Sequence, residues 1–159
     1  MDNKFVNDWN LWYHHEKNNW SIKGFRNIYK INNIKSFWKL FNSWDKIGGV
    51  NNKHFFIMKN DIHPIWEHKD NISGGCWSFK VSENQAFTLW EDLSKFLVCE
   101  KISKNSDEIN GISVCLKKNN FTVIKIWNKN SKKNSITELN QKILKKWGTD
   151  IIYIAHITE

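Results

Sequence analysis

The sequence predicts an α+β domain built around an antiparallel sheet, and three observations predict it. β-rich runs recur from one end of the chain to the other, with three segments of helical periodicity set among them. Two of the runs, Ile112 to Leu116 and Phe121 to Trp127, are separated only by Lys117-Lys118-Asn119-Asn120, a hairpin linkage that calls for antiparallel pairing. The 159 residues are 40% hydrophobic, with no Pro/Gly-rich hinge and no repeat, so residues 1–159 are read as a single domain with one core.

The elements follow in order. Phe5 to Tyr13 alternates loosely and reads as a strand; a polar loop, His14 to Asn19, then leads to Trp20, and Phe25 to Ile31 forms a second strand. Ile34, Phe37, Trp38, Leu40 and Phe41 fall at helical spacing behind Asn33, a candidate N-cap. Gly48 to Lys53 reads as a loop, His54 to Met58 as a short strand, Asn60-Asp61 as a turn, and Pro64-Ile65-Trp66-Glu67 as extended or loop chain. Ser73-Gly74-Gly75 punctuates before the strand Cys76 to Val81. Leu89, Trp90, Leu93, Phe96 and Leu97 predict a long helix over 87–102. After the hairpin, Ile136 to Trp147 is a third helix closed by Gly148, and Ile151 to Ile157 a last strand.

Composition narrows the function. Ten tryptophans and ten phenylalanines exclude a disordered chain. A formal charge of +8, carried almost wholly by lysine with Arg26 as the sole arginine, suits a polyanionic partner touched by point charges. Three cysteines without CxxC spacing, no signal segment and no apolar run of membrane length predict a soluble protein in the cytoplasm, without a membrane association; a monomer is expected. His14-His15 and His63 with His68 lack metal-ligand spacing, and no nucleophile–base motif or carboxylate pair appears. No metal, cofactor or catalytic residue is therefore expected, and the chain is read as a binding protein.

Trp9, Trp12, Trp77 and Trp90 fall on apolar faces and are read as core, and Trp44 and Trp147 as packing. Trp20 differs, because Lys17, Asn18, Asn19 and Ser21 bracket it. Leaving a large apolar side chain in a polar loop forgoes ~2 kcal/mol or more of burial, so such a residue ordinarily has a partner. Trp66, followed by Glu67, supplies a second indole with a carboxylate beside it. Two indoles can stack on both faces of a flat ring while the carboxylate accepts from adjacent donors on its edge; guanine N1–H and N2 amine form such an edge. Methylation at N7 makes the ring cationic and adds a cation–π term. These three residues point to the 7-methylguanosine cap of messenger RNA.

The chain resembles translation initiation factor 4E, the messenger-RNA cap-binding protein, from about Trp9 to His156. The resemblance rests on Trp9-Asn10-Leu11-Trp12-Tyr13, Trp20, Phe37-Trp38-Lys39-Leu40-Phe41, Ile62-His63-Pro64-Ile65-Trp66-Glu67, Gly74-Gly75-Cys76-Trp77, Trp90 and Ile124-Lys125-Ile126-Trp127. It implies a strongly curved antiparallel sheet of about eight strands with three helices on the convex face. It further implies that Trp20 and Trp66 form the sandwich, that Glu67 reads the guanine edge and that Trp127 lies against the N7 methyl. On the back, Ile34, Trp38 and Asp92 are implied to bind a helical segment from a scaffold factor of the 4G type or from a 4E-binding protein.

The departures from the family pattern are informative. Lys117 stands where the family has a phosphate-binding arginine, and Val123 where it has a lysine. Lys125, two residues before Trp127, shares its strand face and is expected to take over that role. Cys76 replaces a further arginine. Two family leucines on the second helix align with Glu91 and Lys95. The family's long N-terminal tail and the loop beyond its last strand are expected to be missing. Capped messenger RNA is thus the expected partner in translation initiation, with a cap-binding translational repressor of the same fold as the alternative.

Overall fold

The computed structural model describes residues 3–157 apart from 48, 50–52, 118, 120 and 149. Seven strands form one sheet: β1 (Lys4–His14), β2 (Phe25–Asn33), β3 (Phe55–Lys59), β4 (Gly75–Ser82), β5 (Ile109–Leu116), β6 (Phe121–Asn128) and β7 (Ile151–Ala155). Their order is β2-β1-β3-β5-β6-β4-β7, and every neighbouring pair is antiparallel. The helices are α1 (Ile34–Phe41), α2 (Glu83–Val98) and α3 (Gln141–Trp147). The fold is the α+β curved sheet with three helices that the sequence predicts. The seven β runs read from the residues correspond to the seven strands, and the eighth implied by the resemblance has no counterpart among the described residues. Among those residues no helix is long and apolar enough to cross a membrane.

Strand alternation divides the molecule into two layers. Trp9, Leu11, Phe55, Ile57, Trp77, Phe79, Ile112, Val114, Ile124 and Ile126 point to one face, where they pack with α1, α2 and α3 in the main core. Phe56, Met58, Cys76 and Trp127 point to the other, where Phe25, Ile62 and the half-buried Trp12 complete a smaller cluster. Trp12, expected in the core with Trp9, Trp77 and Trp90, therefore belongs to the second layer. The face without helices is where side chains remain free to meet a ligand.

Local chemistry explains where the helices differ from expectation. α1 starts as predicted: Asn33 Oδ1 accepts from Ser36 N at 2.7 Å and Ser36 Oγ accepts from Asn33 N at 3.1 Å, a reciprocal capping box. The long helix spans 83–98 rather than 87–102. Its end is a Schellman motif in which Glu100, at φ +59°, takes the left-handed position, Glu100 N donates to Leu97 O and Lys101 N to Phe96 O. No glycine marks this stop, so the buried Ile102 looks like a continuation of the apolar stripe. The expected helix 136–147 is broken. Residues 136–138 form a 3₁₀ turn, Leu139 is extended and bridged to Ser103, and Asn140 restarts the chain as the N-cap of α3. Gly148 ends α3 at φ −77°, outside the left-handed region; what excludes a side chain there is Leu144 O, 2.2 Å from where a Cβ would stand. Gly48 and residues 50–52 of the expected loop, and Lys118 and Asn120 of the expected hairpin turn, lie outside the described residues.

Candidate ligand-binding site

On the open face, a cavity of about 260 Å³ is lined by Trp20, Trp66, Glu67, Trp127, Lys117 and Lys125, together with Phe56, Cys76, Val123, His54 and His156. All six residues singled out for ligand binding from the sequence thus meet around one space. They come from four separate segments: the β1–β2 loop, the loop before β4, the end of β5 and the strand β6. The volume is near the small end of ordinary ligand pockets, roughly 300–1,000 Å³, and suits a single ring system.

Trp20 is held from behind. The His14 ring stacks on it at 4.0 Å and 28°, and its Nε2–H donates to Asn19 O at 2.8 Å, which fixes the tautomer because a carbonyl can only accept. Asn19 Oδ1 in turn accepts from Ser21 N and Ser21 Oγ, and Asn19 Nδ2 donates to Glu16. The loop is therefore clasped while Trp20 stays 56% exposed. Trp66, 46% exposed, sits on a loop pinned by a buried amide relay. Asn71 Nδ2 donates to His63 O and Ile65 O, and Asn110 Nδ2, from β5, donates to Asn71 Oδ1 at 2.9 Å and to Asp70 O at 2.7 Å. Sequence reasoning missed Asn71 and Asn110. Asparagines in a loop and at a strand start look like turn formers, and only their burial separates them from the chain's many exposed ones.

Trp127 forms the floor. Its Nε1–H donates to Ser113 Oγ at 3.1 Å, and its ring meets Phe56 edge-on at 6.0 Å and His156 at 5.1 Å. Register bears out the expected face: Trp127 pairs with Cys76 and Lys125 with Ser78, so both point to the open side. Among the described residues Glu67, Lys117 and Lys125 make no side-chain hydrogen bond or ion pair with another side chain, which leaves a free carboxylate and two free cations at the cavity.

The two cations mark their neighbours electrostatically. Burial, then the charges of His14, Lys117 and Lys125, holds His54 down at about 3. Burial followed by Lys125 lowers His156 to about 4, and burial pushes the Cys76 thiol up to about 12. His54, His156 and the Cys76 thiol are therefore all uncharged near neutral pH, and positive charge in the cavity comes from lysine. Sequence reasoning missed His54 and His156 too; nothing in their spacing ties them to Trp20 or Trp127.

Across the sheet, Trp38 is 39% exposed and Ile34 is exposed beside it on α1. Lys95 Nζ stands 5.3 Å over the Trp38 ring. Asp92 is not free: its Oδ2 accepts from Lys146 Nζ at 2.9 Å and from Trp147 Nε1 at 3.1 Å, which also gives Trp147 its packing role. No three His, Cys, Asp or Glu side chains among the described residues gather as metal ligands do.

Fold and site together define an α+β domain whose open face carries a cavity lined by exposed indoles, a carboxylate and lysines. The family model described as eukaryotic initiation factor 4E matches residues 4–157. The chain belongs to that family. It is 28% identical over 141 residues to the translation initiation factor 4E of Eremothecium gossypii, covering 84% of this chain and 66% of the relative. It is 27% identical over 148 residues to that of Dictyostelium discoideum, covering 88% and 58%. The chain thus spans about three-fifths of the length of the curated relatives it matches. Among solved structures it is similar to C. elegans eIF4E-3 in complex with the 4E-binding protein Mextli and a cap analog, at TM-score 0.84 and 22% identity, covering 98% of this chain and 94% of that one. It is similar too to Ascaris suum eIF4E-3 with m7G cap, at TM-score 0.82 and 21% identity, covering 100% and 94%.

Proposed function

We propose that this chain binds the 7-methylguanosine 5′ cap of messenger RNA in translation initiation, without catalysing a reaction. The observation that carries the reading is the convergence of two exposed indoles with a carboxylate and two lysines, unpaired among the described residues, on one small cavity. In this reading Trp20 and Trp66 sandwich the guanine, Glu67 accepts from N1–H and the N2 amine, Trp127 lies against the N7 methyl, and Lys117 and Lys125 neutralise the triphosphate. Each stacked face contributes ~1–3 kcal/mol, and the charge-assisted bonds to Glu67 roughly 1.5–3 kcal/mol. Together they suffice for micromolar or tighter binding with few other RNA contacts. Family membership and the cap complexes of the two structural neighbours agree with it. The test is fluorescence titration with 7-methylguanosine triphosphate: binding should quench tryptophan emission in the wild type and be lost in Trp20→Ala and in Trp66→Ala. Undiminished affinity in both variants would remove the sandwich.

The helix-covered face is proposed to take an amphipathic helical segment on Ile34 and Trp38, with Asp92 at its edge, supplied by a 4G-type scaffold or a 4E-binding-type protein. The Lys95 ammonium over Trp38 and the charged Glu91 one turn away favour a second reading, in which the chain holds caps but fails to recruit the scaffold and so represses translation. Added to a reconstituted cap-dependent translation system, the chain should stimulate under the first reading and inhibit under the second.

A further inference from the structure

Beside the cap cavity lies a second recess, of about 470 Å³, lined by Tyr13, His14, His15, Lys17, Trp20, Lys53, His54, Cys115 and Leu116. Trp20, His54 and Cys115 line both spaces, so the two open into each other along a common rim. Lys117, which follows Leu116 in the chain, stands at that rim on the cavity side. The recess lies where the end of β1 and the chain entering β3 come together with the end of β5.

Its chemistry has one sign. Among the described residues no carboxylate lines it, while Lys17 and Lys53 do. The nearest acidic residue in sequence, Glu16, is occupied by the Asn19 side-chain amide at 2.8 Å. Lys53 Nζ donates to Ile47 O at 2.9 Å and stands 5.4 Å over the Tyr13 ring, which fixes its position and leaves further N–H donors for an anion. The described lining has no arginine, asparagine or glutamine side chain able to read a base edge in two-point fashion. Both large flat rings in the recess are already covered, Trp20 by His14 and Tyr13 by Lys53 and Phe55. The features present suit a phosphodiester backbone, not a base.

Building on the cap-binding reading, we propose that this recess is the path of the RNA that follows the cap. The first phosphodiesters downstream of the triphosphate pass Lys117 and are held by Lys17 and Lys53, without sequence preference. The cap is then bound in one cavity and the RNA body in its neighbour, with Trp20 as the wall between them.

The test compares three ligands on the full chain: 7-methylguanosine triphosphate, the cap dinucleotide m7GpppG, and a capped oligonucleotide of about five residues. The oligonucleotide should bind about tenfold tighter than the dinucleotide. Lys17→Glu, which alters an exposed side chain, and Lys17→Glu combined with Lys53→Met should each reduce that gain, the pair abolishing it. Neither should change affinity for the triphosphate. The log–log salt slope of oligonucleotide binding should flatten by about 0.7 for each phosphate no longer neutralised. An oligonucleotide that binds no tighter than the dinucleotide overturns the path while leaving cap binding intact, as does a gain that survives in both variants. A parallel loss of triphosphate affinity would assign these lysines to the cap cavity and overturn the separate path. Failure of the wild type to bind the triphosphate at all would remove the cap reading and this inference with it.

Discussion

At the scale of single residues, the site combines a carboxylate and lysines that are unpaired among the described residues, and each carries a distinct expectation. On the proposed reading, Glu67→Ala leaves two guanine donors without an acceptor in a desolvated slot. It should weaken cap binding about tenfold to a hundredfold, or ~1.4–2.8 kcal/mol, with an unchanged far-ultraviolet circular dichroism spectrum. Binding within about threefold of wild type would mean that another group reads the ring edge. Lys125→Ala should cost about tenfold for the triphosphate and almost nothing for the bare methylated nucleoside, because only the phosphates meet that charge. Equal losses for both ligands would contradict this division. His54 gives a pH expectation. Its folded pKa of about 3 lies below the ordinary 6.5, so the unfolded chain binds the extra proton. The neutral ring's contribution is complete above about pH 6.5 and is lost as pH falls towards 3, by up to about 1.4 kcal/mol per pH unit. Urea midpoints should therefore fall between about pH 7 and pH 5, and less steeply in His54→Phe; identical slopes would contradict the assignment. Trp20, Trp66 and Glu67 were legible in the sequence because an indole among polar neighbours and an adjacent carboxylate are conspicuous by type. His54 and His156 were not, since only the fold carries them to the cavity.

At the scale of elements, Trp20 and Trp66 sit on loops, and buried amides position the Trp66 loop. Asn71 bonds two carbonyls of the Trp66 loop while accepting from Asn110 on β5. Asn71→Ala should lower global stability by about 1–3 kcal/mol through the unpaired carbonyls and Asn110 amide. It should lower cap affinity further than its stability loss explains, since Trp66 and Glu67 lose their anchor. Calorimetry of cap binding at a temperature where the variant remains folded measures this; unchanged affinity would show that the loop holds itself. The strands were readable because each is a β-rich run bounded by turn or loop residues, although β1 alternates only loosely. The helix ends were harder. α2 stops on Glu100 in a left-handed conformation that favours glycine, and the third helix breaks at Leu139, where burial and a bridge to Ser103 outweigh helical periodicity. The first is a local cap without its usual glycine signal, and the second a tertiary demand that overrides a local pattern.

At the scale of the whole molecule, one sheet separates two faces, an open one with the aromatic cavity and a helix-covered one with Trp38. The two activities proposed for them should be separable. Trp38→Ala should abolish co-purification of a scaffold-type partner while retention on cap resin persists; loss of both would make Trp38 a packing residue. The central claim is narrower, that the cavity selects a cationic guanine. Two indole faces around a desolvated cation contribute ~2 kcal/mol or more beyond neutral stacking, about thirtyfold in affinity. Calorimetric titration of the wild-type chain with 7-methylguanosine triphosphate and with guanosine triphosphate, under identical buffer and salt, tests it directly. The account predicts at least about thirtyfold tighter binding of the methylated ligand, and equal affinity for the two would contradict it.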